Sequence, residues 1–159
     1  MGVVTSVALD EIDRHILRAL QANARTSNAD IARELDMAPS AILERIRKLE
    51  QRGIISGYEA RLAPKALGLG LTAFVFARFS AAGGGEETGR ALAAIPELSE
   101  IHHVAGEDCL LIKLRVRDTD DLSRVLGKIK QQPELLQTRT TIVLSTAKES
   151  ATLALEAEA

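Results

Sequence analysis

Four cations, Arg45, Arg47, Lys48 and Arg52, stand with two carboxylates, Glu44 and Glu50, in a stretch that opens at Pro39 and Ser40 and closes at Gly53. Guanidinium and ammonium groups gathered on one helix suit the charged oxygens of a nucleic-acid backbone. A serine beside the free amides of a helix start can reach a phosphate or a base edge. Ser40, Ala41, Glu44, Arg45, Arg47 and Lys48 are therefore the expected contact residues, with Arg25, ahead of the preceding helical pattern, as one more phosphate partner. A charged helix face is often merely solvated, so these residues alone leave DNA binding and plain solvation both open.

A second group of reactive side chains is His102, His103 and Cys109. A metal would need three or four such ligands to converge, yet adjacent residues on a strand point to opposite faces, so no metal is expected. The better role for one of these histidines is a sheet or subunit interface, where it would confer pH sensitivity. Gly83, Gly84 and Gly85 precede a helical pattern, but no Lys-Ser/Thr follows as a phosphate-cradling loop requires, and they are read as a flexible connection. Cys109 has no activating partner beyond the histidines and no Ser-His-Asp ordering stands out, so no catalytic residue is assigned.

Periodicity supplies the elements that must position the basic helix. Leu9, Ile12, Ile16, Leu17 and Leu20 recur at helical spacing, with Asp10, Glu11 and Asp13 in the first turn, where the helix dipole favours acids. Ser27-Asn28-Ala29-Asp30 reads as a capping box opening a short helix that buries Ile31 and Leu35. Asp36-Met37-Ala38 is a turn, and Pro39 suits the first position of a third helix whose Ile42, Ile46 and Leu49 share one face. Two helices joined by a three-residue turn, the second one basic, make a helix-turn-helix pattern.

Beyond Gly53 the stretch Ile54 to Leu62 reads as a strand, and Pro64, Gly68 and Gly70 mark a boundary. Strands are then predicted over 71–80, 98–104, 110–116 and 138–144, with helices over 87–95 and 121–130. In the third strand Leu110, Ile112, Leu114 and Val116 share the buried face. The order βαββαβ is ferredoxin-like, one sheet face covered by the two helices and the other left for a partner. The expected fold is α+β: a helix-turn-helix domain over 1–53, a β-strand linker over 54–70, a ferredoxin-like effector-binding and oligomerisation domain over 71–145, and a tail over 146–159 for which no structure is expected.

A net charge of −2 provides no overall basic field, so nucleic-acid binding has to come from the local patch. One cysteine excludes an intramolecular disulfide and a cysteine-based zinc cluster, which fits a reducing compartment, and cytoplasm is expected. No run approaches the roughly 20 apolar residues of a membrane span. Met1 to Ser6 formally matches a myristoylation pattern, but one so short recurs by chance.

Leu9-Asp10-Glu11-Ile12-Asp13, the run Ser40 to Glu50, Gly53-Ile54-Ile55-Ser56-Gly57-Tyr58, His102-His103-Val104-Ala105-Gly106-Glu107-Asp108 and Arg139 to Leu144 together resemble the Lrp/AsnC, or feast/famine, family of regulators. The likeness runs from about Leu9 to Ser150. It implies a winged or simple helix-turn-helix on double-stranded DNA, homodimers formed through the sheets and often assembled to octamers, and an amino-acid effector in the cleft between neighbouring dimers, near Gly106, Glu107 and Asp108, with His103 and Cys109 beside them. Glu107 or Asp108 would pair with an α-ammonium group, and amides beside Gly106 would receive the α-carboxylate. Ala38 departs from the family's frequent hydroxyl cap, and Cys109 and Leu110 imply a more apolar pocket. No cofactor is expected beyond the amino-acid effector. Two other readings compete: an enzyme of the same fold similar to siroheme decarboxylases, which a coloured protein would reveal, and an architectural DNA-binding protein, which a low ratio of specific to non-specific affinity would reveal.

Overall fold

The computed structural model describes residues 8–80 and 85–155; the Met1 to Ser6 pattern, Gly83 and Gly84 lie outside the described residues. The chain divides into two compact units, 1–61 with 149–159, and 62–148.

The first unit is a three-helix bundle of α1 (Glu11–Ala22), α2 (Asn28–Glu34) and α3 (Pro39–Gln51). Asp10 caps α1 by accepting from the Asp13 N–H at 2.7 Å. Ser27 caps α2: its hydroxyl accepts from the Asp30 N–H at 3.1 Å and donates to the Asp30 carboxylate at 2.6 Å. The hydrogen bond from the Ser27 hydroxyl is the chief cause that holds the Asp30 carboxyl below its ordinary range, and the Ser27 backbone amide adds to it, as a capping box requires. Ile16, Leu17, Ile31, Ala32, Ile42, Ile46 and Leu49 are buried together. Between α2 and α3 the chain turns at Asp36, whose φ is +51°. Pro39 begins α3 and Ala38 gives it no side-chain cap.

The expected strand over 54–62 is absent. Gly53, at φ +69°, turns the chain back, and the N–H groups of Ile54 and Ile55 both donate to the Leu49 carbonyl, at 2.9 and 3.3 Å. Both isoleucines pack on the bundle core. The apolar pair that reads as a strand is thus the hydrophobic finish of a helix C-terminus, and residues 56–61 find no ladder partner among the described residues of this chain.

Tyr58 follows, its hydroxyl donating to the Glu50 carboxylate at 2.9 Å. Desolvation, then the hydrogen bond to Glu50, pushes its phenol up to about 12. Folding thus favours the neutral phenol, a contribution fully present below the ordinary value of about 10 and lost as pH climbs from there toward the folded value. Tyr58 is the single tyrosine and there is no tryptophan. Tyrosinate absorbance should accordingly rise in one step with a midpoint near 12, and Glu50→Ala should bring that midpoint down; a midpoint near 10 in the intact protein would show that the contact is not kept in solution.

In the second unit, β1 (Leu71–Phe79), α4 (Glu86–Ala93), β2 (Leu98–His103), β3 (Leu110–Val116), α5 (Thr119–Lys130) and β4 (Leu135–Ile142) build a sheet of order β2-β3-β1-β4, with every neighbouring pair antiparallel. That is the ferredoxin-like arrangement. The alternation predicted for β3 is realised: Leu110, Ile112, Leu114 and Val116 join Ala73, Val75 and Ala77 of β1, Leu92 of α4, and Leu122, Val125 and Ile129 of α5 in one core. The last strand begins three residues earlier than expected. A bulge at Arg78 and Phe79 lets Leu135 pair with Phe79, directly after a turn in which Glu134 has φ +62°. Among the described residues no helix is long and apolar enough to cross a membrane.

Candidate functional site

On α3 the burial of Ile42, Ile46 and Leu49 fixes which residues face outward. Ser40, Glu44, Arg47 and Gln51 follow at steps of three and four on the opposite side, all exposed, with Lys48 beside them and half-buried Ala41 at the margin. Arg47 has no hydrogen-bond or ion-pair partner among the described residues, which leaves its guanidinium available. Lys48 is held by Glu44 at 2.8 Å, and the same hydrogen bond keeps the Glu44 carboxyl below its ordinary range. Arg25 sits exposed in the turn before α2, its backbone N–H donating to the Asn23 side chain and its guanidinium without a hydrogen-bond or ion-pair partner among the described residues. Gln51 escapes the sequence reading because it is uncharged; its four-residue step from Arg47 was the available signal.

Arg45 does not belong to this surface. Its guanidinium turns toward α1 and donates to Asp10 at 2.7 Å and Asp13 at 2.8 Å. The Asp13 side chain is 12% exposed and that of Arg45 30%. Hydrogen bonds to Asp10 and Asp13, in that order, raise the Arg45 pKa further, and the Asp10 carboxyl is lowered chiefly by the Asp13 amide. A guanidinium bound to two carboxylates is a poor phosphate donor, so Arg45 joins helices here. Arg52 likewise donates to the Ala8 carbonyl, at 3.3 Å.

Of the residues expected around an effector, Gly106, Glu107, Asp108 and Cys109 follow one another on the β2–β3 hairpin, and His103 closes β2 opposite Leu110. Gly106 turns the β2–β3 hairpin at φ +146°, a conformation that favours glycine, and the hairpin is closed by the Val104 N–H on the Cys109 carbonyl at 3.1 Å. Glu107 is exposed there and its carboxylate makes no hydrogen bond or ion pair with a described residue. Asp108 already accepts from Arg139 of β4 at 3.1 Å, and that guanidinium lies 4.1 Å from the centre of the Phe76 ring. Cys109 turns inward, its Sγ 3.5 Å from the Phe79 nitrogen, and Leu110 is fully buried in the core. Both side chains therefore belong to the interior of this unit. His103 lines a separate shallow cleft between β2 and α4 of about 350 Å³, with Glu86, Gly89, Arg90, Ala93 and Ile101. His102 instead contacts Glu100 at 3.4 Å, so the two histidines diverge as alternation requires, and among the described residues no group of three could hold a metal ion. Arg139 is the residue the sequence reading left out of the site; its place opposite Phe76 emerges only from the β1–β4 register.

Comparison with known proteins matches residues 9–56 to the winged helix-turn-helix DNA-binding family and residues 72–153 to the Lrp/AsnC ligand binding domain. The HTH-type transcriptional regulator FL11 of Pyrococcus horikoshii is 35% identical over 147 residues, covering 92% of this chain and 97% of that protein. The leucine-responsive regulatory protein of Escherichia coli is 35% identical over 145 residues, covering 89% and 88%. Among solved structures, E. coli AsnC superposes with a TM-score of 0.85 at 31% identity, over 92% of this chain and 99% of that one. The feast or famine regulatory protein of Mycobacterium tuberculosis, complexed with L-methionine, does so with a TM-score of 0.85 at 33% identity over the same shares. A basic third helix set on a small bundle, a ferredoxin-like partner unit, and agreement of sequence and fold along almost the full chain lead to one conclusion: the chain belongs to the Lrp/AsnC family and is a transcriptional regulator of that type.

Proposed function

We propose that the protein binds double-stranded DNA through the outward stripe of α3, with Arg47 as its principal cation, Ser40, Glu44, Lys48 and Gln51 around it, Ala41 at its margin and Arg25 on the flanking backbone. The observation that carries this reading is the unpaired Arg47 in a stripe facing away from the buried residues of the bundle. Such a helix enters a major groove while cations outside it hold phosphates. The effector is an amino acid. L-Methionine in the M. tuberculosis relative supports this, and in this chain Glu107 has a free carboxylate for the α-ammonium group while the hairpin around Gly106 offers backbone amides to the carboxylate.

The assembly is a homodimer that builds to octamers, acting in the cytoplasm. The sheet face opposite the helices supports a covering partner, because Phe74, Phe76 and Leu111 lie only half-buried there, on the side away from the core. An effector that favours one assembly over another would shift DNA affinity by its difference in affinity for the two.

A mobility-shift titration on DNA from the protein's own promoter region, at fixed salt, with each amino acid in turn, tests the reading. The expected result is specific binding altered by one amino acid in the intact protein, with that response lost in Glu107→Gln. Binding at the non-specific level under every condition would refute the regulator's sequence specificity; a response unchanged in Glu107→Gln would move the effector away from the hairpin.

A further inference from the structure

After Lys148 the chain leaves the second unit and rejoins the first. Residues 149–155 form neither helix nor strand, yet side chains of the first unit seize them closely. The Gln21 amide works both ways on one residue: Nε2 donates to the Leu153 carbonyl at 3.2 Å, and Oε1 accepts from the Leu153 N–H at 2.7 Å. Arg18, one turn earlier on α1, donates to the Leu155 carbonyl at 3.4 Å, and Arg61 donates to the Thr152 hydroxyl at 3.1 Å. The Leu155 side chain packs on the bundle core, while that of Leu153 stays exposed.

A side-chain amide that donates to and accepts from the same residue offers what a neighbouring strand would offer. Recognition therefore falls mainly on backbone groups, which any sequence possesses, with one hydroxyl, that of Thr152, and one apolar side chain, that of Leu155, added. We infer that this face of α1, built from Arg18, Gln21 and the apolar notch that takes Leu155, is a peptide-docking surface, and that the segment 149–155 is the ligand the chain carries for it. Being tethered, the segment docks at high effective concentration and needs little intrinsic affinity. The unit it docks on is small, so a further half-buried leucine and several hydrogen bonds weigh heavily in its stability. The bundle that presents α3 is thus completed by residues that follow the sensing unit in the chain.

Two proteins test this: the chain ended after Lys148, and full-length Gln21→Ala. Backbone amide exchange across α1 is expected to rise about tenfold in both, while exchange in β1 and β3 stays as it was. Adding the synthetic peptide 149–159 in excess should restore slow exchange to the shortened protein. Should the shortened chain fail to fold, Gln21→Ala decides alone. Unchanged α1 exchange in Gln21→Ala overturns the inference, and so does a folded shortened protein on which the peptide has no effect.

Discussion

Arg45→Ala lowers the stability of the helix-turn-helix unit by about 2–3 kcal/mol, the scale of charged hydrogen bonds lost where one carboxylate is nearly out of water. The arginine bridges Asp10, the cap of α1, and Asp13 one turn inside it, so removing it leaves Asp13 without the cation and loosens α3 from α1. For a unit of this size the melting temperature should fall by roughly 10 °C. Well below that melting point, DNA affinity and its dependence on salt should stay close to those of the intact protein, because the side chain is not in the contact stripe. A drop in salt dependence without a drop in melting temperature would return Arg45 to the DNA surface.

Arg47→Ala should behave in the opposite way. The guanidinium has no partner to lose within the described fold, so the melting temperature should barely move. DNA affinity should fall about tenfold, and the slope of log affinity against log salt should shrink by about 0.9, the value for one phosphate contact. Combining it with Lys48→Ala should bring the loss near a hundredfold, since the Glu44 pair at 2.8 Å competes only weakly with a duplex at this exposed position. Salt titrations of both variants on one DNA fragment provide the check. An unaltered slope in the double variant would place the groove-facing helix elsewhere.

The contrast between these two arginines marks where the sequence stops being legible. Helical spacing identifies Ile42, Ile46 and Leu49 as the buried face, and the same spacing sets Arg45 at the boundary of that face, so its side chain could turn either way. Only the position of α1 decides, by presenting two carboxylates. Alternation revealed β3 and the inward face of its sheet because both sides of the pattern are buried differently. Ile54 and Ile55 misled for the reverse reason: two adjacent apolar residues satisfy a strand pattern and a helix finish equally, and Gly53 with its positive φ settles the matter. The effector residues came from the resemblance to the family and not from any period in the sequence. Antiparallel pairing then sends His103 to the α4 side and draws Asp108 to Arg139. The segment 149–155 was silent in the sequence because Gln21 holds it by its backbone, which leaves no mark on composition or period.

Asp36, in the turn before α3, has consequences for how this protein can evolve. Its φ of +51° sits in a region that residues with a side chain enter at a cost of about 1 kcal/mol, with aspartate and asparagine among the most tolerant and glycine free of the penalty. The position therefore admits a narrow alphabet of drift, and β-branched residues are shut out even though nothing about DNA or effector demands an acid there. Lineages descending from this chain are free to revise the outward stripe of α3 and so acquire new operators. They inherit the angle at which that stripe is presented, because the joint that sets it has few tolerable spellings.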